Sequence, residues 1–202
     1  LLPSFLIYSQ GFYFDFIEID DGGQLLKNDI IQSLSWKNLV SIFTTATVAM
    51  YQPLTTLCFS LLTAFFGHES AIPFKIFSYA LHACNTYILY LICKKIAIHR
   101  YSAIIIAIIF SIHPLTVEPL AWISATSTLL FTLFYLLAWI SYIHFLQTNK
   151  TKHQLLCLIC FCCSCFSKVL AIPFIGILFL TDYLFNKPLL NKTTIINSSQ
   201  SQ

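Results

Sequence analysis

Charged side chains are scarce in this chain. Of its 202 residues, only 9% are Asp, Glu, Lys or Arg. A soluble globular domain carries roughly 25% charged residues, so this deficit excludes that class of protein. Apolar residues take their place: 57% of the chain is hydrophobic, 16% is aromatic, and the mean hydropathy is +0.78. The composition predicts a single membrane domain embedded in a lipid bilayer.

The low net charge and the lack of metal ligands around the cysteines exclude two classes of function. The net charge of +3 is too small, and the basic residues too scattered, for a nucleic-acid partner. Five cysteines lie in residues 157–165, but no histidine or carboxylate lies among them. Thiols in such an apolar segment behave as small hydrophobes, so we interpret the cluster as structural. Nothing in the sequence calls for a metal ion or another cofactor.

Half of the eight acidic residues are concentrated in one short stretch, namely Asp15, Glu18, Asp20 and Asp21. Carboxylates this dense are unfavourable in an apolar chain unless water, a partner or a substrate meets them. Two interpretations stay open: a solvated cap that follows a membrane helix, or a catalytic carboxylate at the membrane surface. Gly22 and Gly23 come next, and we expect them to break any regular structure there.

The apolar runs predict about six membrane segments in an all-α, multi-pass bundle. The first ends near residue 13, and the others cover residues 73–93, 101–112 and 126–146 and two parts of 155–185, divided between Ser167 and Pro173. Tyr79, His82 and Asn85 recur at three-residue spacing and should face other helices rather than lipid.

Residues 14–72 form a large first external loop in this scheme. Ser35 is expected to cap a short helix, and a second helix should begin at Pro53 and stop at Gly67. The second helix is about 21 Å long, too short to cross easily, so we expect it to lie in the interface. Its apolar residues make one face, with Thr56, Ser60 and Thr63 opposite.

Basic residues predict the orientation. They lie between the proposed spans and in a polar tail, residues 186–202, at Lys94, Lys95, Arg100, Lys150, Lys152, Lys187 and Lys192. The positive-inside rule places these regions in the cytoplasm. The acidic stretch, His113, Glu118 and Lys168 then share the opposite face, which is periplasmic in a bacterial inner membrane or luminal in the endoplasmic reticulum.

These outward residues make a recognisable set of parts. A carboxylate can accept the proton of an attacking hydroxyl group. Cations at the membrane surface can neutralise a phosphate leaving group, where charge develops during glycosyl or phosphoryl transfer. Each residue alone is a weak signal, since His113 before a proline is more often a helix-end residue and Lys168 could extend to the interface. Their convergence on one face favours the catalytic interpretation.

A series of motifs runs along the chain in order: Ile19-Asp20-Asp21, Tyr51-Gln-Pro-Leu54, Leu81-His-Ala-Cys-Asn85, a His113-Pro…Glu118 turn that ends at Ser124, Ser167-Lys168 and Asp182-Tyr183. In order and spacing the chain resembles the bacterial multi-pass membrane proteins with tetratricopeptide repeats and the related transmembrane O-mannosyltransferases, which are GT-C glycosyltransferases. The resemblance covers about residues 14–185, and we expect residues 1–185 to form a GT-C-like domain at the N-terminal part of a longer protein.

The resemblance implies transfer of a hexose, mannose by analogy, from polyprenyl or dolichyl phosphate to a hydroxyl group on a protein or glycan. Asp20 would be the catalytic carboxylate and Asp21 its partner. The donor phosphate or substrate would be bound by the remaining candidates, namely His113, Glu118, Lys168, Tyr51 and Gln52. No metal is required for this reaction.

Two departures from the family pattern leave other functions open. Residues 125–128, Ala-Thr-Ser-Thr, stand where the family commonly has Gly-Arg-x-Asp, and Gln52 stands where Arg or His is usual. A degenerate, purely structural member is one alternative. A transporter or flippase-like protein is another, and it would need ionisable residues at the bilayer midplane, for which His82 is the single convincing candidate.

Overall fold

The computed structural model describes residues 2–17, 20–48 and 50–186. Within these ranges the chain is helical and contains no strand, which confirms the all-α prediction. The α-helices are α1 (Leu2–Tyr8), α2 (Trp36–Thr44), α3 (Pro53–Phe66), α4 (Ile72–Lys95), α5 (Arg100–Ile112), α6 (Val117–Ala121), α7 (Thr126–Thr148), α8 (Thr151–Ser167) and α9 (Phe174–Asn186). Short 3-10 or π turns connect several of them, at Ser9–Tyr13, Gly22–Leu26, Pro114–Thr116, Ile123–Ala125 and Val169–Ala171.

Two helices in the described part of the chain are long and apolar enough to cross a membrane: Ile72–Lys95 and Ile123–Thr148, the latter including a short 3-10 turn. A third span results if Arg100–Ile112 and Pro114–Ala121, which meet at a bend of 50°, are counted as one. α3, α8 and α9 are apolar but shorter. The chain therefore has the helices of a membrane protein, with two or three that span by length and composition.

The helix ends follow local chemistry as predicted. The Ser35 hydroxyl accepts a hydrogen bond from the Asn38 N–H at the start of α2. Pro53 is the first residue of α3, and Gly67 ends that helix with φ of 76°, a left-handed value that glycine tolerates. α8 ends at Ser167, and the extended backbone of Lys168 divides it from α9. These boundary predictions are confirmed.

The prediction that Gly22 and Gly23 break regular structure is wrong. They lie in a helical turn, in which the Gln24 N–H donates to the Asp20 carbonyl (2.8 Å) and the Lys27 N–H donates to the Gly22 carbonyl (2.8 Å). A Cβ atom at Gly23 would lie only 2.9 Å from a methyl carbon of Val48. The glycine thus permits a close approach of two loop segments and does not interrupt the helical hydrogen bonds.

Contacts along α7 give the direction of its neighbours. α8 runs antiparallel to α7, since Lys168 contacts Thr128 whereas the rings of His153 and His144 stack at the other end. α4 runs parallel to α7, as the Ser78–Thr126 hydrogen bond and the electrostatic interaction between Lys95 and His144 show. α9 also runs parallel, with contacts progressing from Tyr135–Phe174 to Tyr142–Asp182. We name the first end of α7 the acidic end and the second the basic end.

Many polar side chains are buried inside this bundle beside its apolar clusters, and many large apolar side chains are exposed. On α3, Thr56, Ser60 and Thr63 are buried, whereas the large side chains Leu61 and Phe65 are exposed. This inverted arrangement is expected of helices that contact lipid. The sequence predicted the two opposite faces of α3 but not which of them is buried. The placement of α3 in the membrane interface stays a prediction.

The three-residue polar series on α4 faces other helices, as predicted. His82 Nε2 lies 3.0 Å from the Ser111 carbonyl oxygen of α5, and the Asn85 side chain donates to the Leu129 carbonyl of α7 (2.9 Å). Tyr79 donates to the Tyr8 carbonyl. The cysteine-rich helix α8 packs through Cys157 and Cys160 against α7 and α9 in an apolar cluster.

Candidate functional site

Asp21 is the anchor of the acidic end. Its side chain is fully buried, at 0% exposure. Oδ2 accepts a hydrogen bond from the Ile17 N–H (2.9 Å), while Oδ1 accepts from the Ser124 N–H (2.8 Å) and from the Ser124 hydroxyl. Ser124 lies 103 residues away, immediately before α7. The carboxylate therefore fastens the acidic stretch to the start of the central helix.

Asp20 has a different environment from Asp21, although the two are adjacent. Its side chain is partly exposed, and its carboxylate has no hydrogen-bond or ion-pair partner among the residues that the structure describes. Only its carbonyl oxygen is engaged, by the N–H groups of Gly23 and Gln24. Since Asp21 fixes the backbone beside it, Asp20 is a positioned carboxylate with free acceptor oxygens. Such a group can accept a proton from a bound hydroxyl.

A pair of buried amides joins α3 to the turn that follows Asp20. Gln52 Nε2 donates to Gln24 Oε1 at 3.1 Å, which links the residue preceding α3 to the acidic turn. Gln24 lies four residues after Asp20, and its backbone N–H donates to the Asp20 carbonyl. Gln24 is only 3% exposed, yet its Nε2 has no hydrogen-bond partner among the described residues. The amide thus retains a buried donor without a described partner in the turn that follows Asp20.

The α8–α9 break lies at the same end. The Thr55 hydroxyl of α3 donates to the Ser167 carbonyl (3.1 Å), so the start of α3 contacts the end of α8. Lys168 Nζ donates to the Thr128 hydroxyl (2.8 Å), and Thr128 is four residues after Ser124. Lys168 has no carboxylate partner in the described part of the chain. Asp21 and Lys168 therefore contact two ends of one five-residue stretch at the start of α7.

Lys75 is a buried cation that the sequence analysis overlooked. It lies in the first turn of α4 with 1% exposure. Its Nζ donates to the carbonyl oxygens of Gly11 and Phe14, and it lies 5.8 Å from the centroid of the Phe14 ring. It also interacts electrostatically with Asp15 and Asp21. Lys75 holds the chain that leads into the acidic stretch and offsets part of its negative charge.

The remaining predicted site residues are less closely connected to Asp21 and Lys168. Tyr51 is exposed, and its hydroxyl donates to the Phe43 carbonyl of α2 (2.9 Å). His113 is exposed and caps a 3-10 turn, with Nδ1 accepting from the Leu115 N–H (3.2 Å). Glu118 is exposed in the first turn of α6. No hydrogen bond within the described ranges joins these three residues to Asp21, Gln24 or Lys168. Their assignment to a substrate site stays a prediction.

Three of the residues that build this end were not predicted. Lys75 carried a usable signal, because a lone lysine inside an apolar helix is unfavourable without a partner. Gln24 carried only a weak signal in the sequence, as a polar residue between Gly23 and Leu25. Ser124 carried none, since its role arises from a contact with a residue far away in the sequence. Glu18 lies outside the described residues.

Comparison of the chain with models of known protein families, with characterised proteins and with solved structures gives no match. The fold and the acidic end therefore rest on the geometry of this chain alone.

Proposed function

We propose that this chain is the membrane domain of a GT-C-type glycosyltransferase. It transfers a hexose, mannose by analogy with the resemblance, from polyprenyl or dolichyl phosphate to a hydroxyl group of a protein or glycan. The bundle crosses the membrane about six times, with the acidic end on the periplasmic or luminal side. The directions of α4, α5, α7, α8 and α9 support this arrangement, because they alternate along the chain as successive spans do, with α5 antiparallel to α4.

In this reaction the acceptor hydroxyl loses its proton to Asp20 as its oxygen attacks the anomeric carbon of the sugar. The bond between that carbon and the phosphate oxygen breaks, and the lipid phosphate leaves with the electron pair. A single displacement inverts the anomeric centre. Lys168 neutralises the charge that develops on the leaving phosphate, and Asp21 holds Asp20 in place.

One observation carries this proposal: two adjacent carboxylates differ in burial and in hydrogen bonding. Asp21 accepts three hydrogen bonds and is inaccessible, whereas Asp20 beside it has no partner in the described residues. A solvated cap does not require a buried carboxylate that is hydrogen-bonded to a residue 103 positions away. A general base does, because proton transfer requires a fixed position within hydrogen-bond reach of the acceptor.

The test is sugar transfer from synthetic polyprenyl-phosphate mannose to hydroxyl acceptors by the purified protein. Asp20→Asn is nearly isosteric, and we expect it to lower the rate by about 10²–10⁴. Asp15→Asn is the matched control, and it should transfer at the wild-type rate. Asp15 is exposed, and among the described residues its carboxylate accepts a hydrogen bond only from the neighbouring Phe16 N–H. Wild-type activity that survives in Asp20→Asn would refute the assignment of the base.

The main rival is a structural member of the same fold, favoured by Thr126 and Thr128 where the family pattern has charged residues. Thr126 is buried and hydrogen-bonded to Ser78 (2.7 Å), so the position is packed. A transporter is less well supported, because the His82 ring stacks on Phe110 between two helices and bonds a backbone carbonyl. No transfer by the folded wild-type protein, with any lipid-phosphate hexose, favours the structural interpretation.

A further inference from the structure

An apolar groove opens between α8 and α9 on the side towards the basic end. Its volume is about 420 Å³, within the range of small-molecule sites. Its wall is almost wholly apolar, formed mainly by Leu155, Leu158, Phe161, Ile175 and Leu178. Tyr142 of α7 and Phe174 of α9 also line it. A groove of this kind fits a hydrocarbon chain.

The depth of the groove corresponds to one leaflet of a bilayer. Along α8 it extends from Thr151 to Phe161, which is about 15 Å at 1.5 Å per residue. The hydrocarbon core of a membrane is about 30 Å thick, so this is about half of it. At its other end the groove reaches Phe161 and the first two residues of α9, Phe174 and Ile175, and no charged residue lines it there. A lipid that uses this groove therefore enters from the basic end.

The mouth of the groove at that end is polar and basic. Thr151 and Gln154 line it, and the exposed Lys150 and Lys152 flank Thr151 in the sequence. Asp182 is not a lining residue; it accepts a hydrogen bond from the hydroxyl of Tyr142 (2.7 Å). A basic rim above an apolar, leaflet-deep groove complements a molecule with an anionic head and a hydrocarbon tail.

We infer that the α8–α9 groove binds an anionic phospholipid from the leaflet on the Lys150 side. One acyl chain lies between α8 and α9, and the headgroup phosphate lies at Lys150 and Lys152. The charge of the rim favours this occupant over a neutral lipid. The rim charge also favours the anionic phospholipid over a protein helix, because a helix gains nothing from two exposed lysines at the rim. This inference does not depend on the proposed transferase activity.

The experiment measures lipid binding to the purified full chain by native mass spectrometry. The probes are dioleoyl-phosphatidylglycerol and dioleoyl-phosphatidylcholine, each titrated at low and moderate salt. We expect the wild-type protein to prefer phosphatidylglycerol, and the preference to weaken with salt. Each lysine near a membrane surface contributes about 1 kcal/mol, or about fivefold in affinity. Lys150→Gln with Lys152→Gln should therefore abolish most of the preference, while Lys27→Gln, an exposed lysine at the other end, should retain it.

A second pair of variants tests the groove itself. Leu158→Trp fills the groove from α8 and should reduce binding of both lipids, whereas Leu156→Trp, exposed on α8 but outside the groove, should leave binding unchanged. Ile175→Trp fills the groove from α9 and serves if Leu158→Trp does not fold. Equal affinity for the two lipids, or binding that Leu158→Trp and Ile175→Trp leave intact, overturns the inference. So does a dimer that only the groove-filling variants dissociate, because the occupant is then a second copy.

Discussion

The two ends of the bundle are held together by different kinds of contact. At the acidic end, hydrogen bonds from side chains join segments distant in sequence, with Asp21 bound to Ser124 and Lys75 to Phe14. At the basic end, side-chain hydrogen bonds join α7 to α9 at Trp139–Thr181 and Tyr142–Asp182. Beside them the rings of His144 and His153 stack with centroids 5.4 Å apart, and Ile143 packs in an apolar cluster. The acidic end is thus held by a buried carboxylate and a buried lysine, whereas ring stacking and apolar packing accompany the hydrogen bonds of the basic end.

This difference has a functional meaning. Hydrogen bonds in a low-dielectric interior are strong and directional, and they hold a reacting group within a fraction of an ångström. Apolar packing is more tolerant of shape and suits a surface that accepts a flexible hydrocarbon chain. This contrast supports the proposed chemistry at the acidic end and the proposed lipid site near the basic end. The following predictions test this contrast, from the largest expected effect to the smallest.

Glycosylation of sequons at the two ends tests on which side of the membrane each end lies, and each sequon is expected to be either modified or unmodified. Asn149-Lys-Thr151 is a glycosylation sequon at the basic end. The positive-inside rule predicts that this end lies in the cytoplasm, so in a eukaryotic membrane the sequon should stay unmodified. Ser33→Asn creates a sequon with Ser35 in the exposed loop at the acidic end, and this one should receive a glycan. A gel shift that glycosidase reverses reports both results. Sugar on Asn149 would reverse the orientation.

Removal of the anchor should be the most damaging change to stability. Asp21→Ala leaves two N–H groups and one hydroxyl without their acceptor in a buried position, so we expect a loss of about 3 kcal/mol or more. Reversible unfolding of the detergent-solubilised protein measures it. Asp15→Ala is the control, and it should stay within about 0.5 kcal/mol of wild type, as exposed substitutions do. Equal stability of both variants contradicts the role of Asp21 as an anchor.

The second-largest loss of stability is expected when the buried cation Lys75 is replaced. Lys75→Met keeps the length of the side chain but removes the charge, and it leaves the carbonyls of Gly11 and Phe14 without their donor. Hydrogen bonds to charged groups contribute about 1.5–3 kcal/mol each, and the apolar methionine recovers part of this through packing, so we expect a loss of about 2 kcal/mol.

Lys37→Met, on the exposed side of α2, is the matched control for Lys75→Met. It should leave the free energy of unfolding unchanged. A Lys75→Met protein as stable as wild type would mean that the two carbonyls find other donors, and that the acidic stretch is positioned by Asp21 alone.

The sequence predicted the elements better than their connections. Apolar runs, Ser35, Pro53 and Gly67 gave the helices and several of their ends, because these signals act within one or two turns. The hydrogen bond between Asp21 and Ser124 could not be predicted from the sequence, because a contact across 103 residues depends on how the helices pack. The Gly22–Gly23 turn was predicted wrongly for the same reason, because the contact with Val48 favours glycine there.

The smallest effect on stability is expected at Lys168, together with an effect on donor binding. Thr128→Asp places a carboxylate beside its Nζ, which now bonds the Thr128 hydroxyl at 2.8 Å. An ion pair at this partly exposed position contributes only about 0–1 kcal/mol, so folding should hardly change. If the cation serves a lipid phosphate, however, an internal partner competes with it, and the KM for polyprenyl-phosphate mannose should rise. Lys168→Gln should raise that KM as well by removing the charge, whereas the uncharged Thr128→Asn should leave it near wild type. Equal KM values in all three variants would show that Lys168 does not meet the donor and that its hydrogen bond to Thr128 only closes the end of α8.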